Sequence, residues 1–203
     1  MIVRFTAFAA AAVTLAAPAT AQPADLARVA EHLKGVRSMT ADFTQTDRAG
    51  KMLTGRLTLK QPGKIRFQYE DGVPLLVVSD GRALTFIDYS VRQVSRWPIG
   101  GSPLGVILDP GKDLSKVARV VPSGQSGVIT VLAKDARHPE YGAITLAFTE
   151  QSGAPGGLML EGWVALDAQN NRTTVRLTNQ RLNVAVADDN FRYQDPRPKK
   201  SAR

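Results

Sequence analysis

From Met39 onward the apolar residues of this chain recur at every second position, and that alternation constrains the fold more than any other feature. A period of two puts one set of side chains on a single face of an extended strand, which a helix cannot do. "MTADFTQT" sets Met39, Ala41 and Phe43 against polar neighbours, and the loop "DRAGK" leads back through Met52–Lys60 as a hairpin. In "RLTLKQPGKIRFQY" the apolar face of Leu57 and Leu59 reaches Gln61, meets Pro62, and resumes with Ile65, Phe67 and Tyr69. Asp71-Gly72 and Asp80-Gly81 are turn signals, because glycine takes positive φ without steric cost; they bracket "PLLVVS" ahead of "ALTFID" and "RQVSRWP". Six strands joined by short turns predict an antiparallel meander. Strand patterns return in "KVARVVPS", "GVITVLAK", "GAITLAFTE", "GLMLEGWVALD" and "TTVRLTNQRLNV", for about eleven strands in all.

Only two stretches read as helix. In residues 25–36, "DLARVAEHLKGV", Leu26, Val29, Ala30, Leu33 and Val36 form one stripe, with Asp25 as N-cap and Gly35 near the end. His32 falls off that stripe and is expected in solvent. In "GGSPLGVILDPG" Ser102 caps, Pro103 fits the first turn, and Leu104, Ile107 and Leu108 share a side. The fold class is therefore mainly β, a single curled antiparallel sheet.

An antiparallel sheet normally buries one face and wets the other. Two short helices are little cover for so many strands. A sandwich and a barrel remain open, since strand number alone does not choose. A closed barrel of this size is wider than its own side chains fill, so the helices plug it or a ligand cavity remains. The candidate lining is Leu57, Leu59, Ile65, Phe67, Leu76, Val78, Phe86, Leu146 and Phe148, positions that no ionisable group interrupts. An ordinary packed core predicts the same pattern.

The chain opens "MIVRFTAFAAAAVTLAAPATAQPADL". Arg4, the apolar run Phe5–Ala17 and Ala19-Thr20-Ala21 match an export signal cleaved before Gln22. The 13-residue run falls short of the ~20 residues of a membrane span. Residues 22–203 are expected as one exported domain, without cysteine and so without disulfide staples. Net charge is +8, and Arg192, Arg197, Lys199, Lys200 and Arg203 crowd the end, so "FRYQDPRPKKSAR" reads as a frayed basic tail, flexible from about residue 194. Export argues against nucleic acid as its partner.

The chemistry of common enzymes is missing. There is no thiol nucleophile, and His32 and His138 have no metal-ligand partner at diagnostic spacing. "GGSPLG" and "SGQSG" are not nucleophile elbows, and no phosphate loop or dinucleotide fingerprint occurs. Asp188-Asp189 and the pair Asp135 and Glu140 read as surface carboxylates in polar loops. The expectation is a non-enzymatic monomer with no cofactor and no metal.

The order of "MTADFTQT", "GRLTLKQPGKIRFQYE", "LLVVSDGRALTFIDYSVRQVS" and "SPLGVIL" behind an export signal resembles the periplasmic outer-membrane lipoprotein carrier (LolA) family, over residues 25–110 above all. The resemblance implies an unclosed β-barrel whose helices form a lid over an apolar cavity. It implies a carrier that takes acylated lipoproteins from an inner-membrane ABC transporter complex, crosses the periplasm, and passes them to an outer-membrane receptor. The lid would comprise Leu33 on the first helix and Leu104, Ile107 and Leu108 on the second, with Ile65 and Phe67 at the mouth and wall. The family commonly has arginine before the proline, bonded to lid backbone; here that residue is Gln61, which lacks the charged fork. The latch is expected to be weaker, or supplied by Lys60 or Arg66. The alternative is a lipid- or lipoprotein-binding sensor of envelope stress on the same half-barrel.

Overall fold

The alternation is realised as one eleven-stranded antiparallel sheet in a computed structural model that describes residues 22–109, 111 and 113–198. The expected export signal and the last residues of the basic tail lie outside the described residues. A meander β1 (Ser38–Thr46), β2 (Met52–Lys60), β3 (Lys64–Tyr69), β4 (Leu75–Asp80), β5 (Ala83–Asp88) and β6 (Gln93–Pro98) forms one half. A second meander β7 (Ala118–Val121), β8 (Val128–Lys134), β9 (Ala143–Glu150), β10 (Leu158–Leu166) and β11 (Arg172–Leu182) forms the other. The halves join where β1 pairs with β11, and β6 and β7 stand at opposite ends of the order, so the barrel is open.

Register breaks between Thr40 and Asp42 and between Leu160 and Gly162 bend the sheet, since a bulge adds local twist and curvature. At the second, Gly162 has φ +151, and a Cβ there would sit 2.1 Å from the Val175 carbonyl oxygen. Only glycine fits that bend. The concave face collects Phe43, Leu57, Leu59, Ile65, Ile144, Leu146, Phe148, Leu158 and Leu177, all buried in one cluster.

Two helical elements roof this face. Helix α1 (Gln22–Gly35) lays Val29 and Leu33 into the core. It starts three residues ahead of the expected cap, so Asp25 lies inside the first turn and pairs with Arg28 at 3.8 Å. His32, expected in solvent, is 2% exposed: its ring packs edge-on to Phe148 at 5.4 Å and its Nδ1–H donates to the Pro155 carbonyl at 3.1 Å. A histidine off the apolar stripe was still on a buried side because α1 also leans on the loop before β10. The second element is a 3-10 turn, Ile99–Gly101, followed by α2 (Gly105–Leu108), one buried turn of helix.

The C-terminal segment corrects the reading of a frayed end at Phe191. That side chain is buried against Leu76, Val78 and Ile87 on the outer face, which stabilises by about 2 kcal/mol for a fully buried aromatic. Asp188 meets Lys60 at 2.7 Å and Lys64 at 2.9 Å, and these ammonium groups hold its carboxyl down to about 2. Arg66 Nη1 donates to the Asn190 and Arg192 carbonyls. Lys60 and Arg66 thus clasp the C-terminal segment and leave the lid to another residue.

Candidate functional site

Where the two halves of the sheet face each other at the turn end, a cleft of about 400 Å³ remains between them and the lid. Its apolar walls are Phe67 and Val77 from β3 and β4, Leu84 and Trp97 from β5 and β6, Trp163 and Val175 from β10 and β11, and Leu104 from the lid. Phe67 stands edge-on to Trp163 at 6.1 Å and to Phe43 at 5.2 Å, so the floor is a fixed aromatic array. Gln45 reaches the cleft and is fixed by the Tyr69 hydroxyl, which donates to its Oε1 at 2.9 Å. Burial pushes the Tyr69 phenol up to about 12, so it stays protonated and keeps donating.

The lid is fastened at the turn between β2 and β3. Gln61 Nε2 donates to the Ile107 carbonyl at 2.8 Å, and Gly63 N–H donates to the Leu108 carbonyl at 2.9 Å. These are two of the last carbonyls of α2, which a helix end leaves without internal partners. The turn is itself braced from below: buried Ser79 Oγ donates to the Gly63 carbonyl at 2.7 Å and accepts from Gly81 N–H at 3.2 Å. The neutral amide thus bonds the main chain of α2 at the end of the β2 strand.

The site thus combines an open antiparallel half-barrel, an apolar cleft and a short helical turn bonded through main-chain carbonyls. The family model described as "Outer membrane lipoprotein carrier protein LolA" matches residues 34–194. The chain belongs to the LolA family. It is 27% identical over 201 residues, 95% of its length and 94% of the relative's, to an outer-membrane lipoprotein carrier protein of Chromobacterium violaceum. It is 26% identical over 195 residues to the protein of the same name in Cupriavidus necator, covering 89% of this chain and 88% of that one. Among solved structures, a LolA superfamily protein from Nitrosomonas europaea aligns with a TM-score of 0.47 at 10% identity, over 83% of this chain and 97% of the other.

Measured against the LolA reading of the sequence, the structure gathers some of the candidate residues and separates others. Leu57, Leu59, Ile65, Leu146 and Phe148 are almost fully buried on the concave face, while Phe67 alone of the lining set borders the cleft. Ile65 is fully buried between Leu59 and Ser79 beside the Gln61–Gly63 turn and does not border the cleft. Phe86 is half-buried and shares the concave face, since it pairs with Val77, which pairs with Phe67. Leu76 and Val78 are on the opposite face under Phe191, because Leu76 pairs with Gln68 and the side-chain period is two. A strand apolar on both faces hides which face is which, and "PLLVVS" is such a strand. Leu33, Ile107 and Leu108 are buried beneath the roof they form, and Leu104 borders the cleft. The sequence reading missed Trp97, Trp163, Val175 and Ser79. Trp97 and Trp163 were visible as aromatics within strand patterns, whereas Ser79 carried no signal.

Proposed function

We propose that this chain is a periplasmic carrier: it shields the acyl chains of lipoproteins released from the inner membrane by an ABC transporter complex and delivers them to an outer-membrane receptor. The observation that supports this best is the apolar cleft beneath a short lid tied to the sheet through Gln61 and Gly63. Hydrophobic attraction is non-directional, so such walls accept acyl chains of varied length. Each buried CH₂ is worth about 0.8 kcal/mol, and three long chains fully sheathed would pass the roughly 20 kcal/mol ceiling of non-covalent binding. A carrier must unload. A cleft of about 400 Å³, near the low end of the roughly 300–1,000 Å³ range of small-molecule sites, sheathes chains only in part until the lid lifts. Lifting then exposes the concave residues Leu57, Leu59, Ile65, Phe86, Leu146 and Phe148, and the lost lid contacts offset part of the gain. The energy for loading comes from the membrane transporter, so this chain acts as a carrier and needs no catalytic group.

The test is release of a lipoprotein from inner-membrane vesicles into solution. Wild-type protein should carry it in soluble form to vesicles holding the receptor. Phe67→Glu and Leu104→Glu, which put charge against the cleft wall and under the lid, should abolish pick-up while the chain still folds by circular dichroism. Unimpaired pick-up by both variants would sink the assignment of the cleft.

A further inference from the structure

Gln45 brings an amide to the apolar floor of the cleft. It faces Leu53 of β2 on one side and Val175 of β11 on the other, and Val175 in turn faces Trp163 of β10. Two other polar residues of the lining are already engaged: Asn171 Nδ2 donates to Asp167 Oδ2 at 2.8 Å, and Ser102 Oγ accepts from Leu104 N–H at 3.1 Å. The amide of Gln45 is engaged at its oxygen, where the Tyr69 hydroxyl donates to Oε1 at 2.9 Å. Tyr69 is itself buried, with its ring edge-on to Phe43 at 5.3 Å. A phenol has one proton to give, so this bond turns the amide oxygen toward Tyr69 and the Nε2 hydrogens away from it. Among the described residues no group accepts from Nε2. The buried side-chain polar atom left without a partner is Gln180 Oε1 alone, so Gln45 Nε2 is open to the cleft that Gln45 borders.

We propose that Gln45 Nε2 is a polar anchor in the cleft, donating to the ester carbonyl at the head of an acyl chain whose hydrocarbon lies on Phe67, Trp163 and Val175. The inference rests on the carrier reading and names the residue that sets how the cargo sits in the same cleft. Apolar contact is non-directional and leaves a chain free to slide along the walls. One directional donor among apolar walls fixes where the chain begins. Tyr69 is a positioning residue: it holds the amide and touches no ligand. An ester suits this site better than an amide. Its carbonyl takes the bond and brings no donor, whereas an amide adds an N–H that apolar walls leave unpaired at a cost.

Two ligands test it, each competing for a fluorescent acyl probe. One is a short-chain, N-acetylated diacylglyceryl-cysteine peptide; the other is the same peptide with both esters replaced by ethers, which keeps the chains and loses the carbonyls. The quantity read is the ester-to-ether affinity ratio. Q45M keeps the length of the side chain and leaves a thioether as weak acceptor for Tyr69, but has no donor. Its ratio should be about fivefold below that of the wild type, the size of one net hydrogen bond. Y69F, which frees the amide to turn, should fall between. On the wild type the infrared band of the bound ester carbonyl should lie below its position in a hydrocarbon solvent, a readout that needs no variant. An unchanged ratio in Q45M, or a carbonyl band at the hydrocarbon position, overturns the anchor, and binding of the ether then leaves the carrier reading standing. Binding of neither ligand to the wild type overturns the carrier reading, and the anchor with it.

Discussion

Helix α1 and the lid segment Ile99–Leu108 roof the same concave face but are fastened in different ways. Arg28 of α1 donates through Nε to the Gly156 carbonyl at 3.3 Å and through Nη2 to the Gly157 carbonyl at 3.4 Å, and its Nη1 meets Glu150 at 3.1 Å. His32 adds the bond to Pro155, and Asn183 Nδ2 donates to the Gly35 carbonyl at 3.1 Å. The loop approaches so closely that a Cβ on Gly156, φ +64, would lie 2.2 Å from the Arg28 carbonyl oxygen. α2 is a single turn whose terminal carbonyls are held by Gln61 and Gly63 from one hairpin turn. Neutral hydrogen bonds contribute about 1 kcal/mol each, so α1 has the larger share of polar fastening, while α2 is held chiefly by the burial of Val106, Ile107 and Leu108. The difference lies in the fastening: α1 is bonded at several points along the loop before β10, whereas the end of α2 is bonded by Gln61 and Gly63 of a single hairpin turn.

The contrast breaks most readily at Gly156. Gly156→Ala forces strained backbone and a clash into the α1 seat, and should cost about 3 kcal/mol in chemical denaturation. Unchanged stability would mean that α1 is not seated by this loop. Next, Gln61→Ala removes one hook of about 1 kcal/mol. Native-state hydrogen exchange should then quicken about fivefold at amides of α2, while those of α1 stay as they were; equal change at both ends would erase the distinction. Gln61→Arg works the other way. A charge-assisted donor is roughly twice as strong, so release of a bound acyl probe should slow several-fold, and an unaltered release rate would remove Gln61 from the latch. The smallest effect concerns His32. Burial lowers its pKa, with the Pro155 and Leu158 backbone pulling the other way, so the folded chain holds the ring neutral. Below its ordinary value of 6.5 the unfolded chain takes up a proton that the folded chain refuses. Stability should therefore decline as pH falls from there to the lowered folded value, then level off. His32→Gln should flatten that slope, and a slope retained in the variant would clear His32 of it.

How legible was each part? The alternation from Met39 to Leu182 gave eleven strands, and the turn glycines at 72 and 81 adopt the positive φ expected of them. Gln61 stood out in the sequence because the apolar face of its strand ends there in an amide beside Pro62. The interior was harder. Leu76 and Val78 carry the same apolar signal as Leu57 and Leu59, yet face outward, because "PLLVVS" is covered on one side by the core and on the other by Phe191. His32 was misplaced for a similar reason: a helical stripe reports one buried side, and α1 has a second against Pro155.

Local chemistry, written along the chain, determined the strands, their turns and the amide at the rim, since each depends on neighbours within a few residues. Which apolar face became core, which stayed wetted at a cleft, and which was sealed by the C-terminal segment depended on residues more than a hundred positions apart meeting across the sheet. That is why Lys60 and Arg66 found partners near residue 190 instead of at the lid. Distance along a chain carries no information about such encounters; curvature of the sheet does.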